Sequence, residues 1–556
     1  LLGEIAPGDR VGLLSSTRPE WTLVDHAVTS AGGVVVPIYA TSSPDECEWV
    51  LHDSGATVVV CEDAAQAAKI GKVRSRLPDL RGVVVIDGDG GGDQHGDAEA
   101  TVAELAERGA AEDGGPAADE LSRRREAVQP DDPYTFVYTS GTTGRPKGCV
   151  LTHANLVFLC ELARDVQIIR PGDIVYLYLP LAHVFARIVE LAAATVGATV
   201  AYFGGDTSAM VAELGEVRPT YLPSVPRIFE KLYTLATAQA ASPEAQERLR
   251  QAVAVGVQVR DLEVRGEPVP DDMRAAFAAA DAQMFSGVRS VFGGEVRECT
   301  TGAAPIAPEI LEFFYAAGVP VFEGYGMTES TGVATVSTAE RHRFGSVGRA
   351  APGVEMRVAD DGELLIRGGN VFAGYHGNPA ATGDTLVDGW LHTGDVGEID
   401  ADGYIRITGR KKDIIITAGG KNLTPANLEN DLKTSRWISQ AVMHGDRRPF
   451  AVALITLDEE EILAYAREHG LPDDVAELSR HETVRELIQR VVDEANAAYA
   501  PVEQIKRFHL LDHDLTQDAG ELTPTLKLKR NVVNDRYAAV FDALYTGAPA
   551  PSARRT

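Results

Sequence analysis

The chain has 556 residues, 44% of them hydrophobic and 24% charged. That length fits about three or four compact units, and the composition excludes wholesale disorder, collagen and small disulfide scaffolds. Lys and Arg total 52 against 81 Asp and Glu, for a net charge of −29, so no basic footprint for nucleic acid exists at whole-chain level and a polyanionic ligand needs a local positive site.

The five cysteines, Cys47, Cys61, Cys149, Cys160 and Cys299, form no C-x-x-C pair, which fits a reducing cytoplasm better than a disulfide framework or zinc ribbon. No charged n-region with an apolar h-region opens the chain, so no signal peptide is read. No run of 18 apolar residues predicts a transmembrane helix.

Val11 to Ser15 reads as a short buried strand. Ser43-Pro44-Asp45-Glu46 reads as a helix start, with Ser as cap, Pro at the first helical position and acids at the positive helix end; Gly55 can close that helix. The β-branched run Ala56 to Cys61 reads as a covered strand. Alternation of helix and strand predicts an α/β fold with a largely parallel sheet. Residues 87–132 read as a flexible acidic loop followed by a surface helix. After Pro133, Tyr134–Tyr138, Ile174–Pro180 and Ala198–Phe203 read as strands, and 232–285 as helical. From Gly353 to Thr408, short strands with turns predict a small β-rich unit. A mixed α/β tail follows Arg410, with helices around 458–469 and 482–499.

The chemistry-bearing string is Tyr138-Thr-Ser-Gly-Thr-Thr-Gly-Arg-Pro-Lys-Gly148. Glycine-freed N–H groups, hydroxyls and two cations suit a di- or triphosphate. It lacks the G-x-x-x-x-G-K-[ST] spacing of a P-loop. Taken as a bare Gly-rich loop, it is about as readily a surface turn.

The complete string resembles the signature of the adenylate-forming superfamily, which includes acyl-CoA synthetases, peptide-synthetase adenylation domains and luciferases. Further motifs follow in family order over nearly the whole chain. The resemblance implies that Thr139, Ser140, Gly141, Thr142, Thr143, Gly144 and Lys147 bind ATP phosphates. In Glu323-Gly324-Tyr325-Gly326-Met327-Thr328-Glu329 it implies adenine packing at the tyrosine, α-phosphate contact at Thr328 and Mg²⁺ at Glu329; a lone carboxylate in a turn is a reasonable hard-cation ligand beside phosphate oxygens. Gly302-Ala303-Ala304-Pro305 resembles the loop lining adenine and acyl pocket.

Asp395, in Trp390-Leu-His-Thr-Gly-Asp395, resembles the aspartate that accepts both ribose hydroxyls. By family position Ile407 and Arg410 also line the nucleotide, Lys412 is a hinge, and Gly419-Gly420-Lys421 is the loop that enters for thioester formation. Leu522-Thr-Pro-Thr-Leu-Lys527-Leu-Lys-Arg530 resembles the motif carrying the adenylation lysine; alignment on Thr-Pro selects Lys527, with Lys529 as the alternative two residues on. Pro180-Leu-Ala-His-Val-Phe-Ala-Arg187 is similar to the long-chain acyl-CoA synthetase form of the acyl-pocket motif, implying His183, Val184 and Phe185 near the carboxylate and pocket mouth. Ala186 stands where that branch often has Glu.

The resemblance implies a fold with a large N-terminal α/β domain (1–409, mostly parallel sheets, β-rich unit about 353–409), a hinge at 410–413 and a small, mobile α+β C-terminal domain (414–556). It also implies ATP, Mg²⁺ and coenzyme A as cofactor and cosubstrates, a long-chain fatty acid as substrate, and acyl-AMP then acyl-CoA as products. Alternatives left open are a fatty-acyl-AMP ligase loading a carrier protein, a medium-chain or aryl acid ligase, and a non-catalytic nucleotide-binding relative. Long acyl chains make peripheral membrane contact compatible, yet no amphipathic basic helix is read and the net negative charge opposes anionic lipid. Oligomeric state is left open.

Overall fold

The computed structural model describes residues 5–88, 98–111, 115–139, 145–237, 242–418, 421–523 and 527–546. Two α/β layers make up most of the chain. The first sheet has eight strands in the order Gly374–Tyr375, Lys147–Thr152, Pro133–Thr139, Val34–Ile38, Arg10–Leu14, Ala56–Cys61, Gly82–Val85 and Ala100–Thr101. It is parallel from Pro133–Thr139 to Ala100–Thr101 and antiparallel where Lys147–Thr152 and Gly374–Tyr375 join. The second sheet is wholly parallel, with five strands in the order Val321–Glu323, Glu298–Thr301, Tyr221–Ser224, Ile174–Leu177 and Thr199–Tyr202.

Local rules account for these elements. Ser43 and Glu46 form a reciprocal capping box, Pro44 stands at the first position, and Gly55 ends the helix Pro44–Ser54 at φ 62°. The Val-rich strands are buried on both faces, as expected of parallel strands with helices on either side. Between the layers pack Val11, Leu13, Trp21, Val175, Leu177 and Val189. A buried ion pair crosses this core. Arg187, on helix Val184–Val196, meets Asp25 at 2.5 Å and donates to Thr135 at 2.6 Å, while Tyr134 donates to Asp25 at 3.0 Å. Helix Val184–Val196 is thereby tied to the strand that leads into the glycine-rich string.

The β-rich unit is an antiparallel sheet of Val354–Val358, Glu363–Gly368, Trp390–Ile399, Leu386–Val387 and Ile405–Arg410. The helix expected beyond the acidic loop is a two-residue strand followed by two surface helices, Val102–Ala111 and Pro116–Ala127; most of the loop, 89–97, lies outside the described residues. The C-terminal domain holds Ile438–His444 antiparallel to Ala451–Leu457, with Ile505–Leu510 parallel to the latter. Two buried clusters flank this sheet. Among the described residues, no helix is long and apolar enough to cross a membrane.

Candidate active site

The glycine-rich string connects two antiparallel strands in register Thr139↔Lys147. Its stem is pinned from outside: Trp49 donates to the Pro146 carbonyl at 2.9 Å, and the Arg145 guanidinium lies 4.5 Å from the Trp49 ring centre. Thr139 and Lys147 stand at the base of the hairpin; Ser140, Gly141, Thr142, Thr143 and Gly144 lie outside the described residues.

Facing the stem is the turn after strand Val321–Glu323. Tyr325 is anchored by its own N–H donating to Thr335 at 3.0 Å, and Met327 N–H donates to Ser330 at 3.0 Å. A Cβ on Gly326 would fall 2.3 Å from the Gly332 carbonyl oxygen, so no side chain fits there. Thr328, Glu329 and Ser330 form one buried 3₁₀ turn. Gly302 and Gly324 approach closely across adjacent strands, and Ala303 takes the left-handed φ of 70°, sparsely populated for a residue with a Cβ. Ala304 follows it in the same exposed loop. Glu323 is buried, and that burial pushes its pKa up to about 8 against a backbone hydrogen bond from Ile306.

Asp395 is held from two sides, accepting from the Tyr325 hydroxyl at 2.6 Å and ion-paired with Arg410 Nε at 2.9 Å. Arg410 ends the strand that carries half-buried Ile407. Next come Lys411, paired with Asp361 and Glu363, and exposed Lys412. At this junction a Cβ on Gly409 would meet Thr424 of the C-terminal domain at 2.7 Å.

His183 caps helix Val184–Val196, its Nδ1 accepting from the Phe185 N–H at 3.2 Å. That bond assigns the proton to Nε2. Burial, with the Lys527 charge adding to it, pushes the ring pKa down to about 3, so the imidazole is neutral. Val184 is buried and Phe185 half-buried beside it.

Lys527 arrives from the C-terminal domain. Thr523 N–H donates to the Lys527 carbonyl at 2.8 Å and Lys527 N–H donates to the Thr523 hydroxyl at 3.0 Å, while Leu522 bridges Leu528 antiparallel. Its ammonium pKa is lowered by desolvation and then by Arg410, against the opposing pull of Asp395 and Glu329. Lys527 thus shares one electrostatic field with Arg410, Asp395, Glu329 and His183. Lys529 instead stands at the N-cap position of the helix Arg530–Arg536, where its side chain makes no cap bond. The sequence alternative between these two lysines therefore separates in space. Gly419 and Gly420 lie outside the described residues; Lys421 is exposed, its N–H donating to Thr417.

Sequence reading missed Tyr375. Its hydroxyl donates to Glu329 Oε1 at 2.7 Å and its ring centre lies 4.8 Å from Lys147 Nζ. Burial, and then the Glu329 charge, holds the phenol protonated. Gly374-Tyr375 carries no motif spacing; only its pairing with Cys149 and Val150 brings it to the site. Also unforeseen was a charged seam between the large layers and the C-terminal domain, where Arg227 meets Asp458 at 3.3 Å and Lys231 meets Glu460 at 2.9 Å. A separate contact between these parts is Gln517, which donates to Thr41 at 2.9 Å.

The stem of the glycine-rich string, the buried turn of Glu329 and the Asp395–Arg410 pair thus lie in one region, and the charge of Lys527 from the C-terminal domain acts on the last two. The model of the AMP-binding enzyme family matches residues 1–376, and that of the AMP-binding enzyme C-terminal domain matches 412–549. The chain belongs to the AMP-binding enzyme family. The long-chain-fatty-acid–CoA ligase FadD15 of Mycobacterium bovis is 40% identical over 97% of this chain and 88% of its own length. The long-chain-fatty-acid–CoA ligase ACSBG2 of Gallus gallus is 33% identical over 98% and 75%. Among solved structures, the anthranilate CoA ligase AuaEII bound to anthranoyl-AMP aligns with a TM-score of 0.67 at 20% identity, covering 96% of this chain and 88% of that one. A fatty acyl CoA synthetase from Mycobacterium tuberculosis aligns with a TM-score of 0.54 at 24% identity, covering 97% and 89%. These likenesses establish the adenylate-forming fold. As a member of the AMP-binding family, the chain has its mostly parallel α/β layers and C-terminal domain in the order the motifs predict.

Proposed function

We propose that this protein is an ATP-dependent long-chain fatty acid–CoA ligase. The observation that carries the reading is the convergence of Lys527, Arg410, Asp395 and Glu329 on one field, in a chain 40% identical over nearly its whole length to a long-chain-fatty-acid–CoA ligase.

The fatty carboxylate is a poor electrophile and is already ionised near pH 7, so the first half-reaction needs alignment and positive charge rather than a general base. The carboxylate attacks the ATP α-phosphorus in line, forming acyl-AMP and releasing pyrophosphate. Lys527 and Lys147 bring cationic charge to the approaching anions. Asp395 has about four lone-pair sites; Tyr325 takes one and Arg410 lies against the other oxygen as an ion pair, leaving acceptor sites for the ribose hydroxyls. Neutral His183 offers Nε2–H to the carboxylate without carrying a charge, and Phe185 lies at the mouth of the acyl pocket.

The residues fit Mg²⁺, since Glu329 is a buried hard-oxygen ligand in a cationic field, and an ion that keeps waters and takes phosphate oxygens needs only one or two carboxylates. Among the described residues no cluster of three His, Cys, Asp or Glu forms an all-protein cage. Bound at Glu329, the ion supplies positive charge against the phosphates.

In the second half-reaction the thiol of coenzyme A attacks the acyl carbonyl and AMP departs. The domain bounds 1–409 and 414–556, with the hinge at 410–413 around exposed Lys412, allow the C-terminal domain to rotate, withdrawing Lys527 and bringing Gly419, Gly420 and Lys421 to the acyl-adenylate. The reading carries with it a cytoplasmic place of action, and long acyl substrates make peripheral contact at the inner membrane surface compatible with it.

The test is a mass-spectrometric assay with ATP, Mg²⁺ and mixed fatty and aryl acids, with and without coenzyme A. Long-chain acyl-CoA and AMP that accumulate only with coenzyme A are the expected result. Acyl-AMP that persists in its presence would indicate an acyl-AMP ligase instead, and preference for aryl acids would move the substrate class.

A further inference from the structure

Lys147 and Glu329 carry opposite charges and both face the same hairpin stem, yet they form no ion pair within 4 Å; Tyr375 stands between them. Its strand is the edge of the first sheet, hydrogen-bonded to the very strand that begins at Lys147, in register Tyr375↔Cys149. Its ring is fixed on its other side by Phe372, edge to face at 4.9 Å, and Phe372 N–H donates to the Glu329 carbonyl at 2.9 Å. The tyrosine therefore touches both charges through different chemistry, the π face to the ammonium and the hydroxyl to the carboxylate.

We infer that Tyr375 is a positioning residue that keeps Lys147 and Glu329 apart, so that each charge stays available to magnesium-bound ATP instead of being spent on the other. A direct Lys147–Glu329 pair in this half-buried setting would neutralise both the phosphate cation and the metal carboxylate, and breaking it would oppose nucleotide binding. The phenol prevents that without adding a charge of its own. Its hydroxyl also occupies one Glu329 oxygen and orients the carboxylate, while leaving lone pairs for a cation. Outer partners that orient a metal ligand in this way commonly affect metal affinity by tenfold or more. The inference rests on the proposed role of Glu329.

The test measures ATP binding by calorimetry, with and without MgCl₂, for the full chain and for Tyr375→Phe, Tyr375→Leu and Glu329→Gln, with each variant's folding checked by thermal melting. Tyr375→Phe keeps the ring under Lys147 and loses the hydroxyl. It should weaken ATP binding about tenfold with Mg²⁺ and hardly at all without it. Tyr375→Leu removes both contacts, lets the charges pair, and should weaken binding in both conditions. The double variant Tyr375→Phe with Glu329→Gln should be no weaker than Glu329→Gln alone. If Glu329→Gln removes the magnesium dependence while Tyr375→Phe keeps it in full, the inference is overturned and the metal role of Glu329 stands. If Glu329→Gln leaves the dependence intact, the metal role fails. Should Tyr375→Leu not fold, the near-isosteric Tyr375→Phe decides alone.

Discussion

The Tyr325 hydroxyl donates to Asp395 Oδ2 at 2.6 Å, joining a turn of the second parallel sheet to a strand of the β-rich unit seventy residues later. Arg410 closes the other side of the same carboxylate at 2.9 Å. The carboxylate is thus oriented before nucleotide arrives, and no side chain need reorganise to present its remaining lone pairs.

Tyr325→Phe keeps the ring proposed to pack against adenine and removes only the hydroxyl. A hydrogen bond to a charged group contributes about 1.5–3 kcal/mol, and Arg410 still restrains Asp395. The expected loss is therefore about tenfold in kcat/KM for ATP, with KM for the fatty acid unchanged. Steady-state kinetics varying each substrate in turn checks this; equal effects on both KM values would place the hydroxyl in general packing.

Lys527→Ala should abolish adenylation while sparing thioester formation from supplied acyl-AMP and coenzyme A. Lys529→Ala, at a helix N-cap position where the side chain makes no cap bond, should leave both half-reactions within about twofold. Pyrophosphate release and acyl-CoA formation, measured separately, distinguish the two lysines. Equal loss of both half-reactions in Lys527→Ala would contradict its assignment.

The motif-bearing turns and caps were legible because their causes are local. The Ser43–Glu46 box, the Gly55 stop and the strand before the glycine-rich string each follow from neighbouring residues. Lys527 was legible only through resemblance, and its distinction from Lys529 needed the hydrogen bonds that join it to Thr523. Tyr375 and the Arg227–Asp458 seam were illegible for a different reason. Their partners lie far along the chain, 46 residues for Tyr375 and 231 for Arg227, and no periodicity links them. Such contacts follow from sheet order and domain docking, which pairwise sequence spacing does not encode.

That seam supports a prediction about domain arrangement. Lys231 and Glu460 are exposed, so their pair contributes about 0.2–1 kcal/mol and is screened by salt. Lys231→Glu places like charges across the interface and should slow adenylation about two- to fivefold at low ionic strength, with little change in Tm. Adding Glu460→Lys restores the attraction and should restore the rate. The readout is pyrophosphate release across a salt series; a double variant no faster than the single one would detach the seam from the adenylating arrangement.

His183 yields a prediction about pH. Burial first, and Lys527 second, depress its pKa to about 3 in the folded chain, against about 6.5 when unfolded. Between those values the unfolded chain binds a proton that the native ring refuses, so stability rises with pH across this window and falls as pH drops from about 6.5 towards 3. Above about 6.5 both states are neutral and the penalty is absent. His183→Asn keeps a good helix cap but removes the titrating ring. The variant should therefore lose less stability than the natural chain between pH 7 and pH 5, read from urea midpoints at the two values. It should also raise KM for the fatty acid through loss of the Nε2–H donor, while the acid limb of the adenylation rate profile keeps its position. An acid limb that vanishes in His183→Asn would mean that the native ring titrates near neutrality, and the neutral-donor role would fall with it.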